Sequence, residues 1–261
     1  MKYTNLIDDM TWSYSRLKAY ASCPYQFLLH YIYGEEEEPM FFSDFGGYIH
    51  ELIAEHLTDG TPSDDLIMKY LRNFRKEVLG SAPNDSMFEK YLDKGAEYIG
   101  SIDSALMSFK PLAVEEKYKF KIDGKDFVGI VDMVAENSDG ELCIIDHKSR
   151  QLKRRSGRKT PTKYDEELDE YLRQLYLYCI PVKKKFGKYP DWLIFNCFRN
   201  DEETRLIVEP FEEEKFEEAK RWALELIEEI RQEDNWDPDE EFWRCKHLCG
   251  VHRMCETWME G

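Results

Sequence analysis

The sequence has no apolar run close to the roughly 20 residues that span a bilayer, and its longest candidate, residues 27–33, is interrupted by His30. Its first ten residues lack the apolar core of a signal peptide. With 14 glycines and 10 prolines in 261 residues, it is too poor in both for a fibrous chain, and 42% apolar residues are too many for a disordered one. We expect a soluble, cytoplasmic protein that does not bind membranes.

Disulfides are also not expected, because seven cysteines in an intracellular protein leave at least one unpaired. Their spacing is more informative. Cys245, Cys249 and Cys255 lie close together near the C-terminus, and Cys23 lies far away near the N-terminus. Thiolates at such spacing suit an iron–sulfur cluster or zinc, and either would join the two ends of the chain. The other three cysteines fall in apolar segments and are expected in the core: Cys143, Cys179 and Cys197.

Charge is segregated along the chain. The net charge is −17, and four glutamates at 35–38 together with residues 201–241, which hold 18 acidic and 5 basic residues, account for all of it. Residues 148–159 contain seven lysines and arginines and no acidic residue. This distribution excludes a wholly basic nucleic-acid binder but leaves one basic segment in a balanced region.

The hydrophobic pattern predicts an α/β domain with an added helical N-terminal part. Helices are expected after an N-cap at Ser13, from Ser22 and Pro24, and over residues 45–57, 64–79, 87–109, 166–185 and 212–232. Strands are expected over residues 113–122 and 127–136, joined by a turn at Asp123-Gly124, and over 142–146, 192–198 and 204–208. We divide this single domain, 1–261, into a helical part (1–110), a core (111–235) and a cysteine-rich tail (236–261).

Two acids occupy neighbouring positions of the predicted sheet. Asp132 and Asp146 lie near the ends of two antiparallel strands joined by a tight turn, and Lys148 is two residues further along, on the same face as Asp146. Unpaired buried charge is costly, and a divalent cation such as Mg²⁺ or Mn²⁺ would resolve it. The alternative is that both acids end their strands at the surface and Lys148 pairs with one of them.

These segments belong to an ordered series of motifs. Residues 13–17, Tyr20 and residues 23–27 come first, then residues 46–51, 129–132, 146–148 and 174–178. The series resembles the PD-(D/E)XK nucleases, specifically the RecB-type branch with the iron–sulfur exonucleases of CRISPR adaptation and the AddB nuclease domain, although Val131 replaces the name-giving proline. The resemblance implies a restriction-endonuclease-like fold: a central mixed sheet flanked by helices, a helical N-terminal part, and a C-terminal cysteine cluster closing on the N-terminus.

The resemblance also implies an active site. His50, Asp132 and Asp146 would ligate the catalytic Mg²⁺ or Mn²⁺, and the backbone carbonyl of His147 would complete the protein ligands. Lys148 would be the catalytic lysine, acting on the attacking water or on the charge of the phosphate. Considered without the family, His50 would be a hydrogen-bonded histidine near the start of a helix.

Further residues are assigned by the same resemblance. Gln174 and Tyr178, four apart and so on one helical face, would support the site or contact DNA; otherwise they belong to an ordinary amphipathic helix. Glu115 and Glu116 lie near the family's less constant first acidic position, and we interpret them as exposed strand carboxylates.

A [4Fe–4S] cluster is the cofactor that the resemblance implies for Cys23, Cys245, Cys249 and Cys255. Three residues separate Cys245 from Cys249 here, whereas the family usually has two. Zinc is the competing interpretation, because two histidines in the tail could complete a zinc site: His247 and His252.

The basic segment begins at the predicted catalytic lysine, where a loop that binds phosphate would be useful. The predicted DNA contacts are Arg150, Lys153, Arg154, Arg155, Arg158 and Lys159. The alternative is a solvated loop without a partner.

The sequence therefore predicts a metal-dependent DNA exonuclease that prefers single-stranded ends. Two rival hypotheses remain. One is an end-trimming nuclease that is active with partners, which would be recombination or CRISPR adaptation proteins. The other is a catalytically idle DNA-binding module held by a metal cluster.

Overall fold

The structure, a computed structural model, describes residues 3–239 and 241–256. The end of the predicted tail, residues 257–261, lies outside the described residues. The helices are α1 (Thr4–Asp8), α2 (Tyr14–Ser22), α3 (Pro24–Phe27), α4 (Phe41–Asp59), α5 (Ser63–Glu77), α6 (Asp85–Gly100), α7 (Ile102–Leu106), α8 (Lys163–Phe186), α9 (Glu213–Gln232) and α10 (Phe242–Leu248). The strands are β1 (Phe109–Ile122), β2 (Lys125–Asn137), β3 (Leu142–Lys148), β4 (Trp192–Cys197) and β5 (Leu206–Pro210).

The five strands form one mixed sheet in the order β1-β2-β3-β4-β5. All neighbouring pairs are antiparallel except β3 and β4, which run parallel and are connected through α8. The β1–β2 turn has positive φ at both Asp123 (44°) and Gly124 (84°), the conformation that a tight two-residue hairpin requires. The predicted hairpin and the predicted mixed sheet are confirmed.

Each face of the sheet buries its own hydrophobic core, and the strand alternation assigns residues to one face or the other. Val134 and Ile144 pack toward α2, α8 and α9, whereas Met133 and Ile145 pack toward α4–α7. Because both faces are covered, β3 is buried along nearly its whole length, which explains its continuous apolar sequence. The two cores hold the sheet between two helical layers, and the polar residues at the end of β3 lie between these layers.

Two local predictions need correction. Cys23, not Ser22, is the N-cap of α3: its backbone is extended, and its Sγ accepts a hydrogen bond from the Gln26 backbone N–H at 3.3 Å. The helix predicted over 87–109 ends at Gly100 and is followed by the short α7, and Phe109 already begins β1. Ser13 caps α2 as predicted, accepting from the Arg16 backbone N–H at 3.2 Å.

The remaining core expectations are confirmed. Cys143, Cys179 and Cys197 are buried, the first facing the α4–α7 layer and the other two facing the α8–α9 layer. Within residues 3–239 and 241–256, no helix combines the length and the apolarity that crossing a membrane requires.

Candidate active site

The sheet brings the two predicted aspartates together. The antiparallel register pairs Met133 with Ile145, so the next residues outward, Asp132 and Asp146, lie on neighbouring strands at the same edge of the core. Both are buried, and the His147 backbone N–H donates to Asp132 Oδ2 at 2.7 Å. The alternative of two exposed strand ends does not fit this burial.

Helix α4 brings His50 to the same place. His50 Nε2 lies 2.8 Å from the backbone carbonyl oxygen of His147, and its Nδ1 lies 3.6 Å from Asp132 Oδ2. Gly46, one turn earlier, permits the close approach, because a Cβ there would lie only 3.3 Å from Ser149 Oγ. The His147 ring points away into the core, where its Nδ1 accepts from Asn196 Nδ2 at 2.9 Å, which leaves its carbonyl group as the part available to the site.

Glu115 joins this group, although the sequence analysis interpreted it, with Glu116, only as an exposed strand carboxylate. Its Oε1 lies 3.4 Å from His50 Nδ1, and ligand atoms of His50, Glu115 and Asp132 all lie within 4.8 Å of one another. The Glu115 side chain is 35% exposed, and its φ of 47° is uncommon for a residue other than glycine. Strand alternation would have separated the two glutamates: Glu116 shares a face with Tyr118, whose hydroxyl donates to it at 3.0 Å, so Glu115 faces α4.

A chain of polar contacts leads from Asp146 to helix α8. Lys148 Nζ lies 2.7 Å from Asp146 Oδ2 and donates to Gln174 Oε1 at 2.9 Å. Gln174 Nε2 in turn donates to Tyr178 Oη at 3.2 Å. The Tyr178 ring lies on the backbone of Gly129, where a Cβ would come within 2.4 Å of Cε1. This lysine network, as we call Lys148, Gln174 and Tyr178, gives both helix residues a place beside the predicted lysine.

The electrostatics of the site favour a bound cation. Burial and the charge of Asp146 raise the pKa of Asp132 above its usual range. Burial alone would lower the pKa of His50, but the Glu115 hydrogen bond and the two aspartates raise it to about 9, since both ring nitrogens face acceptors. Three carboxylates thus converge on one imidazolium and one lysine. A divalent cation among these oxygens would replace the imidazolium proton, and the donor set fits Mg²⁺ or Mn²⁺.

The family comparison agrees with this geometry. The model of the PD-(D/E)XK nuclease superfamily matches residues 11–256. The chain belongs to this superfamily. Val131, which replaces the proline of the family name, is buried in the core beneath α8, so an apolar side chain packs there.

Two relatives place this PD-(D/E)XK chain more closely. An ATP-dependent helicase/deoxyribonuclease subunit of Streptococcus uberis is 26% identical over 161 residues, which make up 54% of this chain and 14% of that protein. The similarity thus covers a small part of that relative's length. The crystal structure of an inferred exonuclease from Eubacterium rectale aligns with a TM-score of 0.56 at 12% identity, covering 99% of this chain and 91% of that one, which shows a shared fold.

The four predicted cluster cysteines of this PD-(D/E)XK protein line one cavity of about 190 Å³ between α3 and the tail. Cys23 Sγ accepts from the Asp239 backbone N–H at 3.3 Å, which ties the N-terminal part to the tail. A single zinc ion holds sulfurs at about 2.3 Å from the metal, hence close together. Among the described residues, no three potential ligands at this cavity lie within 4.8 Å of one another. The wider spacing suits a larger group than one ion. His252 also lines the cavity.

The basic segment forms an ordered loop between β3 and α8, and two of its arginines bind other parts of the protein. Arg155 forms ion pairs with Asp169 at 2.7 Å and Glu209 at 2.8 Å, and Arg154 donates to the backbone carbonyl of Glu203 at 2.8 Å. These contacts anchor the loop. DNA would share the two side chains with these partners, and its contact with them stays a prediction.

The other four basic residues of the segment are exposed. Arg150 contacts Tyr171 and pairs with Glu167, and Lys153 lies over the Tyr164 ring at 3.7 Å. Arg158 and Lys159 form no ion pair with any residue that the structure describes. Their contact with DNA likewise stays a prediction.

Proposed function

We propose that this PD-(D/E)XK protein is a divalent-metal-dependent DNA exonuclease that acts on single-stranded ends. The observation that carries the proposal is the convergence of Asp132, Asp146 and Lys148 at one buried point, with His50 and Glu115 beside them. An idle module would have no need for a buried lysine held between a carboxylate and an amide.

In the proposed reaction, water attacks a phosphodiester phosphorus, the bond to the 3′ oxygen breaks, and a 5′ phosphate and a 3′ hydroxyl result. A divalent cation bound here would act as a Lewis acid toward a phosphate oxygen and make the attacking water more acidic. His50, Glu115, Asp132, Asp146 and the His147 carbonyl would hold the cation.

Lys148 supplies positive charge where negative charge develops on the phosphate. The lysine network determines its position: Gln174 binds the ammonium group and Tyr178 binds Gln174. Preorganised charge of this kind contributes to catalysis because it needs no reorganisation during the reaction.

Cleavage of end-labelled single-stranded DNA with Mg²⁺ or Mn²⁺ tests the proposal. We expect the wild type to shorten the strand progressively and Asp146→Ala and Lys148→Ala to be inactive while remaining folded. Lys119→Ala, an exposed change on β1, is the matched control and should cleave normally. Cleavage by Asp146→Ala at the wild-type rate would contradict the site assignment, and an inactive, folded wild type would favour the idle module.

We further propose a [4Fe–4S] cluster for Cys23, Cys245, Cys249 and Cys255. The support is their shared cavity and the wide spacing of their ligand atoms. Anaerobically purified protein should contain about four iron and four sulfide per chain, the composition of such a cluster. One zinc and no sulfide would contradict this assignment and leave the nuclease proposal untouched.

A partner-dependent activity is the second candidate, because one relative is named as a helicase/deoxyribonuclease subunit. If the chain works beside a helicase, it would receive unwound single strands. Adding a helicase to a double-stranded substrate should then increase product formation by the wild type but not by Lys148→Ala.

A further inference from the structure

A second basic surface lies beside the active site, and the basic loop does not account for it. A groove of about 460 Å³ begins at Ser149, the residue after Lys148, and extends between α4, α6 and α10. We call it the lateral groove. Its lining residues come from five separate segments: Phe42, Met87, Lys90, Tyr91, Ser149, Arg150, Gln151, Arg199, Trp243 and Leu248.

The charge of the lateral groove is opposite to that of the whole protein. Lys90, Arg150 and Arg199 line it, and no carboxylate of a described residue does, although the net charge of the chain is −17. Two other cavities of similar size each have four carboxylates in their lining: Glu166, Asp169, Glu170 and Glu218 in one, and Glu37, Glu38, Asp44 and Glu77 in the other. The lateral groove therefore suits a polyanion where those cavities do not.

Two of its cations have no acidic partner in the described structure. Lys90 is exposed and, like Arg199, forms no ion pair within the described part of the chain. Arg199 lies on the Tyr91 ring at 3.9 Å, and its buried Nε has no hydrogen-bond partner among the described residues. Burial without a neutralising carboxylate is unfavourable for a guanidinium, and an incoming phosphate would supply the missing charge.

The groove also has an aromatic wall. The ring centroids of Trp243 and Phe42 are 5.8 Å apart, and those of Phe42 and Tyr91 are 5.2 Å apart. Trp243 is 47% exposed, so much of its indole surface is open to solvent. Open aromatic faces beside unpaired cations are the features with which proteins bind unpaired bases and the phosphates between them.

We propose that the lateral groove binds the single-stranded DNA segment that leads to Lys148, an inference that rests on the proposed nuclease function. A base stacks on Trp243, and Lys90 and Arg199 contact phosphates. A duplex would not fit this arrangement, because paired bases keep their faces stacked on one another. Nothing in the sequence joins these residues, since Lys90, Arg199 and Trp243 lie on three distant segments.

Binding of a fluorescent oligothymidylate tests the proposal in the inactive Lys148→Ala protein, without divalent metal. Lys90→Ala should lower the slope of log Kobs against log salt by about 0.7, the value for one lost phosphate contact on a single strand. Lys119→Ala removes an equally exposed lysine from β1 and should leave the slope unchanged. Equal slopes for the two variants would overturn the proposal.

The Trp243→Leu variant tests stacking independently and keeps an apolar side chain against Phe42. We expect about tenfold weaker binding of the single strand, the loss typical of one stacked base, with no change for a blunt duplex. Unchanged single-strand binding in this variant, with an unchanged thermal melt, would overturn the proposal, as would a loss confined to the duplex. If these variants lose affinity but the wild type cleaves no DNA, the groove stands and the nuclease proposal fails.

Discussion

The contact between Gly129 and Tyr178 allows the lysine network to be disturbed by adding a single methyl group. A Cβ at position 129 would lie 2.4 Å from Tyr178 Cε1 and 3.2 Å from two further ring carbons. The Tyr178 ring cannot move out into solvent, because the residue is buried between α8 and the sheet. Overpacking of a core costs about 1–3 kcal/mol. Gly129→Ala should therefore lower the free energy of unfolding by that amount, which is about 2–4 °C in Tm per kcal/mol for a protein of this size.

The same displacement should impair catalysis. Moving the ring moves Tyr178 Oη, which binds Gln174, and Gln174 holds Lys148 at 2.9 Å. A misplacement of about 1 Å can cost about 100-fold in rate. We expect kcat of Gly129→Ala for single-stranded DNA to fall by about that factor with KM nearly unchanged, because the lateral groove is not touched. Steady-state cleavage of an end-labelled strand and urea unfolding measure the two effects.

Gly100→Ala is the matched control, because position 100 is exposed at the end of α6 and the nearest atom to an added Cβ is the mobile tip of Ile67 at 3.2 Å. Both rate and stability should remain close to the wild type. A destabilised Gly129→Ala with wild-type kcat would show that the network does not position Lys148. Unchanged stability would refute the packing argument itself.

Three further predictions concern the lysine, the loop and the tail. Lys148→Met should lower kcat by at least about 100-fold, because it removes a preorganised charge, and circular dichroism should show a retained fold. Asp165 accepts from Ser156 and Thr162, which holds its pKa below the usual 3.8. Its stabilising effect is thus present above about pH 4 and lost as the pH falls through the folded-state pKa, so the Tm deficit of Asp165→Asn should be largest at pH 7 and shrink at pH 3. Cys245→Ser should lose the iron and melt earlier, and an unchanged iron content would contradict the assignment.

The sequence predicts the architecture well where one periodicity dominates. Alternating apolar residues and the Asp123-Gly124 turn identify the hairpin, and both positive φ values appear where expected. Boundaries are predicted less well, because neighbouring residues compete for the same role. Cys23 caps α3 instead of Ser22 because its sulfur also accepts from the distant Asp239 N–H, a tertiary contact that local propensity does not contain.

The candidate site divides along the same physical line. Asp132, Asp146 and Lys148 are close in sequence and share one hairpin and strand, so their meeting follows from alternation. Glu115 required knowing which face of β1 meets α4. The partners of Arg155, which are Asp169 and Glu209, required the positions of α8 and β5.

The strongly acidic character of the protein is compatible with a DNA substrate because the charge that matters lies along the path and not in the total. The net charge repels DNA at distances that the salt of the cell largely screens, about 8–10 Å. Within that distance of the bound strand, the described residues of the lateral groove present three cations and no carboxylate. The acids of α9 lie on the opposite layer, across the sheet. Repulsion of this kind slows the approach of distant segments, whereas short-range pairing holds the segment in the groove. Raising the salt concentration from a very low value should therefore first speed association and only then weaken binding.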